Sequence, residues 1–171
     1  MRQPAHSQQG FTLLEILVVL AIIGILAGLF GWNLIRSIRT AELREATTQV
    51  ATDFRRARSQ AQRGSVDIQI SWTPSSGKIT AYSVGGQNKT IPNGVTMTCD
   101  SGCTPAAGAS AGTNYNNITY TAPYGELSTQ NGAINGKKFT VTSPASASGV
   151  TPLSIRVVGI TGKVIVTQGT P

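Results

Sequence analysis

Acidic side chains are scarce in this sequence. Of 171 residues only seven are Asp or Glu, namely Glu15, Glu42, Glu45, Asp53, Asp67, Asp100 and Glu126, so beyond Asp67 two carboxylates remain. The lone histidine is His6. General acid-base catalysis draws mostly on these residue types, and the sequence offers few of them. It contains no GxxxxGK[ST], no HExxH and no paired-carboxylate motif, which excludes P-loop and zincin chemistry. Gly159-Ile160-Thr161-Gly162 has no helix after it to hold a phosphate. We therefore expect no enzyme, no cofactor and no metal. Charged residues make up 12% of the chain, about half the usual globular share. Proline is absent between Pro4 and Pro74, so nothing there forces a break in a helix.

What is present divides sharply. Residues 11–35 form an apolar run whose polar members are Thr12, Glu15 and Asn33. At about 1.5 Å per helical residue the run reaches across a hydrocarbon core of about 30 Å. A cleaved secretory signal has a shorter apolar region of about 7–15 residues and a small-residue cleavage site after it, whereas here helical periodicity continues past the run. Over residues 36–63 Ile35, Ile38, Leu43, Ala46, Val50, Phe54, Ala57 and Ala61 recur mostly every three or four positions, the stripe of an amphipathic helix. Its other faces carry seven arginines against three carboxylates, a net of +4 read chiefly as a solvated face. One helix of roughly 50 residues is expected, ended by Gly64.

From residue 64 onward the pattern becomes β. Val66, Ile68, Ile70 and Trp72 alternate with polar residues, and Thr73-Pro74-Ser75-Ser76-Gly77 supplies a turn into a strand over 78–84. Further strands are expected at 95–98, 117–122 and 138–142, and a last hairpin joins 153–158 to 163–167 across Gly159-Ile160-Thr161-Gly162. That makes about seven antiparallel strands, with long surface loops over 104–114 and 143–152. The expected fold class is α+β: a long N-terminal helix, membrane-spanning in its first half and amphipathic in its second, packed on one antiparallel sheet in two layers.

Glu15 is the most informative single residue. A carboxylate four residues into an apolar span costs about 2.5–3.5 kcal/mol on insertion scales, and a free α-amine on a neighbouring copy of the helix would compensate it. The residues around it, Gly10-Phe11-Thr12-Leu13-Leu14-Glu15 after a polar leader with Arg2 and before Ile16-Leu17-Val18-Val19-Leu20, resemble the class III signal of type IV pilins and type II secretion pseudopilins. The resemblance implies cleavage between Gly10 and Phe11 by an inner-membrane prepilin peptidase, N-methylation of Phe11, and pairing of Glu15 with the terminal amine of an adjoining subunit. It divides the chain into leader (1–10), transmembrane and assembly helix (11–35), amphipathic continuation (36–63) and head (64–171). It also implies a head outside the cytoplasm, against a positive-inside count that sets Arg2 against Arg36, Arg39 and Arg44.

Phe54-Arg55-Arg56-Ala57-Arg58-Ser59-Gln60-Ala61 leading into Val66-Asp67-Ile68-Gln69-Ile70, with Thr161-Gly162-Lys163-Val164 near the C-terminus, resembles the GspH/FimT branch. That implies a minor pilin of a type IV pilus, with a pseudopilin of a type II secretion system or a DNA-binding receptor for natural transformation as alternatives. Partners are then the prepilin peptidase, other pilins or pseudopilins, the inner membrane and DNA, the last through Lys137, Lys138, Arg156 and Lys163. The apolar run lacks the proline of many major pilins and has Gly24, Gly28 and Gly31 instead, the first two spaced as a GxxxG pair. Cys99 and Cys103, the only cysteines, flank a turn short enough for a disulfide, with two free thiols as the alternative.

Overall fold

The computed structural model describes residues 11–103, 116–128, 136–144 and 149–169, without the side chains of Phe30 and Trp32. The leader with Gly10, the 104–114 loop and part of the 143–152 loop lie outside the described residues. Helix α1 runs Leu13–Gly64 over 52 residues, matching the length that periodicity and the missing prolines imply. Thr12 caps it: its Oγ1 accepts the Glu15 N–H at 3.2 Å. This is the T-x-x-E pattern of a capping box, and it places a carboxylate at the positive end of the helix. At the other end the left-handed residue is Ser65, φ 51°, one position beyond the expected Gly64.

The chain forms two units, residues 1–37 and 38–171. In the first, an apolar helical window of mean hydropathy 2.8 contains no buried residue. In the second, Leu43, Ala46, Val50, Phe54, Ala57 and Ala61 are all buried, as the stripe requires, together with Thr47, Ala51 and Asp53. Ile35 and Ile38 prolong the stripe in sequence but are exposed.

Nine strands follow among the described residues: β1 (Ile68–Trp72), β2 (Ala81–Val84), β3 (Gln87–Thr90), β4 (Thr96–Ser101), β5 (Asn117–Thr121), β6 (Glu126–Ser128), β7 (Lys137–Thr142), β8 (Leu153–Val157) and β9 (Val164–Gln168). They make two antiparallel sheets, ordered β3-β2-β1-β5-β6 and β4-β7-β8-β9, where sequence reading expects one. Ile79, just before β2, bridges Met97 of β4, and the N–H of each donates to the other's carbonyl. Strands β3 and β6 are the two that patterning misses. Each is a short outer strand of its sheet, and β3 reads Gln-Asn-Lys-Thr with no apolar alternation to reveal it.

Aromatic packing joins both sheets to the helix. Phe54 sits edge-on to Tyr82 at 6.2 Å and to Phe139 at 6.0 Å, so one helical side chain touches each sheet, and Trp72 stacks edge-on to Phe139 at 5.1 Å. A polar tie crosses the same layer: buried Asp53 accepts from Tyr82 Oη and from Lys89 Nζ, each at 2.6 Å. Burial first, and then the Asp53 carboxylate, push the Tyr82 phenol far above its ordinary range.

Candidate functional site

The N-terminal segment presents apolar side chains on every face. Leu13, Leu14, Leu17, Leu20 and Ile25 are all more than half exposed, as is Phe11, and no Cβ added at Gly24, Gly28 or Gly31 would meet another atom within 4 Å. A soluble protein rarely shows an apolar surface of this extent, and by length and composition this helix is able to cross a membrane. Glu15 is exposed in the first turn of this sleeve. Its backbone N–H donates to Thr12 Oγ1, which fixes the first helical turn.

In the head the four cations that the resemblance nominates for DNA divide between two grooves, Lys137, Lys138 and Arg156 lining one and Lys163 the other. Lys137 is only 7% exposed. It opens β7 on the core face, two residues before Phe139, with its ammonium 5.6 Å from the Trp72 ring centroid and donating to Gly102 O. Burial lowers it to about 8. The ammonium is thus engaged by the Gly102 carbonyl and lies near the Trp72 ring. The alternation with Phe139 and Val141 carries this signal in the sequence. Lys138 and Arg156 are cross-strand partners, lining with Lys137, Ser101 and Ile165 a groove of about 300 Å³, and Asp100 lies 3.7 Å from Lys138.

Lys163 belongs elsewhere. It leaves the β8–β9 turn beside the last turns of α1 and lines a groove of about 360 Å³ with Arg55, Arg58, Ser59, Gln62 and Val164. The turn that presents it needs Gly162: φ is +61°, and a Cβ there would lie 2.7 Å from the Tyr120 ring. Arg55 and Arg58, which the sequence marks only as part of a solvated face, thus share a site with a C-terminal lysine. Their helical spacing places both on one side of α1, but only tertiary packing brings the hairpin to them.

Cys99 and Cys103 are joined by a disulfide with Cα atoms 6.1 Å apart. The turn it closes supplies the Gly102 carbonyl that holds Lys137. No group of three or more metal-ligating side chains occurs among the described residues.

The family signature described as "Prokaryotic N-terminal methylation motif" matches residues 5–31. Among curated proteins no relative is matched. Two crystal structures of the type IV minor pilin FimU from Pseudomonas aeruginosa resemble the chain. One is 14% identical with a TM-score of 0.50, covering 76% of this chain and 90% of that one. The other is 13% identical with a TM-score of 0.49, covering 72% and 91%. At such identities the likeness concerns the fold: one long helix packed on antiparallel sheets. The chain thus carries the N-terminal methylation motif of type IV prepilins on a protein with the type IV pilin fold.

Proposed function

We propose that the protein is a minor pilin of a type IV pilus, of the GspH/FimT kind, with a structural rather than enzymatic role. In this reading prepilin peptidase cuts between Gly10 and Phe11 and Phe11 is N-methylated. The helix then holds the protein in the bacterial inner membrane with the head on the periplasmic side until assembly. On entering the filament the apolar sleeve exchanges lipid for neighbouring helices, and the Glu15 carboxylate neutralises the amine of an adjoining subunit. The observation that carries this reading is an apolar helix with no buried residue in its most apolar window, overlapped by a methylation motif over residues 5–31, with Glu15 in its first turn.

The relative of similar fold is described as a type IV minor pilin, which favours a pilus over a type II secretion pseudopilus. DNA uptake receives less support, because Lys163 lies in a different groove from Lys137, Lys138 and Arg156, and the Asp100 carboxylate lies 3.7 Å from Lys138.

The decisive experiment is intact mass and N-terminal sequencing of the protein extracted from its host's membranes, with and without Gly10→Ala. A mature start at methylated Phe11 that disappears in the variant supports the reading; an uncut Met1 start in the wild type sinks it. Recovery of the protein in sheared surface filaments separates a pilus from a pseudopilus.

A further inference from the structure

The groove beside the end of α1 contains three cations, Arg55, Arg58 and Lys163, and no carboxylate among its lining residues. Bringing like charges together is unfavourable, so the arrangement calls for an anion. Two of the cations are fixed in place. Arg55 Nη2 donates to Val164 O at 3.2 Å and Arg58 Nε to Gly125 O at 3.3 Å. Each guanidinium has five N–H donors, so those carbonyls leave others for a ligand, and folding has already met much of the cost of ordering the side chains.

The surroundings of the groove narrow the ligand's class. Two turns border it, and each displays a large apolar side chain: Tyr124 is 72% exposed and Ile160 57%. Both turns are held firmly, since Gln62 Nε2 donates to Tyr124 O at 2.9 Å and the Leu127 N–H to Ile160 O at 3.2 Å. Anchored arginine beside exposed tyrosine and aliphatic surface is the composition of a protein interface. A phosphodiester backbone is met by cations and gains nothing from an exposed isoleucine. A second copy of this chain suits the groove poorly as well. Residues 64–171 hold six Lys or Arg against three acids, so one copy's cations would face another's net positive head.

We infer that this groove docks a carboxylate-bearing, partly apolar face of a different pilin-type subunit, making the head of this protein a heterotypic contact within the assembly. The inference rests on the assembly reading above and adds to it which surface is used and the chemistry of the neighbour.

The test uses the full-length protein in its native host with a photo-cross-linking phenylalanine analogue replacing Ile160, while each other host protein that carries an N-terminal methylation motif is epitope-tagged in turn. The expected result is a cross-link to one tagged subunit. Arg58→Glu and Lys163→Glu should each reduce it at least about tenfold, the scale of loss when an interfacial charge pair is reversed. Lys78→Glu, on an exposed turn residue outside the groove, should leave it intact. Lys163 is exposed, so its variant keeps the test meaningful even where Arg58→Glu weakens folding. A cross-link to a second copy of this chain, to nucleic acid, or to a tagged subunit without sensitivity to the reversals would overturn the inference, as would no cross-link. N-terminal sequencing of the same preparations reports separately on assembly: a Phe11 start with no cross-link removes the docking surface and leaves the pilin reading standing.

Discussion

Phe54 lies on the stripe, is fully buried and touches aromatic rings of both sheets. Phe54→Ala should therefore destabilise the head by about 3–5 kcal/mol, measured by chemical denaturation followed by circular dichroism. A loss below about 1 kcal/mol would show that the two sheets do not depend on the helix. Lys137 illustrates the opposite case, since its neighbour Lys138 makes it look like half of a surface charge pair. Strand alternation instead puts it beside Trp72, where burial lowers it from 10.5 to about 8. Between those values the unfolded chain binds more protons than the native one, so Lys137 makes stability rise with pH in that window; below about 8 both states are charged and the burial cost is fully present. Comparing wild type with Lys137→Met across pH 7–11 isolates this from other groups. The wild type should gain on the variant between about 8 and 10.5, and parallel profiles would refute a buried ammonium.

At the scale of elements, α1 was largely legible because one repeating period and an absence of proline extend over its whole length. Its N-terminus is capped by Thr12, whose Oγ1 accepts the Glu15 N–H, so Glu15 serves the helix end as well as its proposed role with a neighbour's amine. The two roles separate experimentally. Glu15→Gln keeps the Thr12 cap and should leave membrane extraction and Phe11 processing unchanged, yet remove the protein from sheared filaments; undiminished recovery there would discard the amine-pairing role. Strand β3 was illegible for a physical reason: an outer strand with polar side chains needs no apolar face, and its pairing is made by backbone groups that every residue possesses, while β6 has one core residue, Leu127, and is too short to show alternation. The Gly85-Gly86 turn before β3, with φ of 55° and 85°, was the one available sign of a hairpin there.

For the molecule as a whole, the division at residue 37 suggests that the C-terminal unit has its own core. A fragment beginning at Ile38 should unfold in one cooperative transition, and a broad, non-cooperative melt would contradict that. The disulfide closes only a four-residue separation, so its contribution through unfolded-state entropy is about 2 kcal/mol at most. Reduction should lower the fragment's melting temperature modestly while preserving its circular dichroism. Complete unfolding on reduction would mean that the turn under Lys137 supports far more of the head than its length implies.

The helix, its apolar sleeve, the methylation signal and most strands follow from patterns within short stretches of chain, where residue spacing alone sets which side chains share a face. The split into two sheets, the burial of Lys137 and the meeting of Lys163 with Arg55 and Arg58 depend on how distant segments pack. No local period encodes that a hairpin more than 100 residues away will close against one side of α1. The cations that make the groove are plain in the sequence; their common site exists because aromatic packing around Phe54 brings the sheets to the helix.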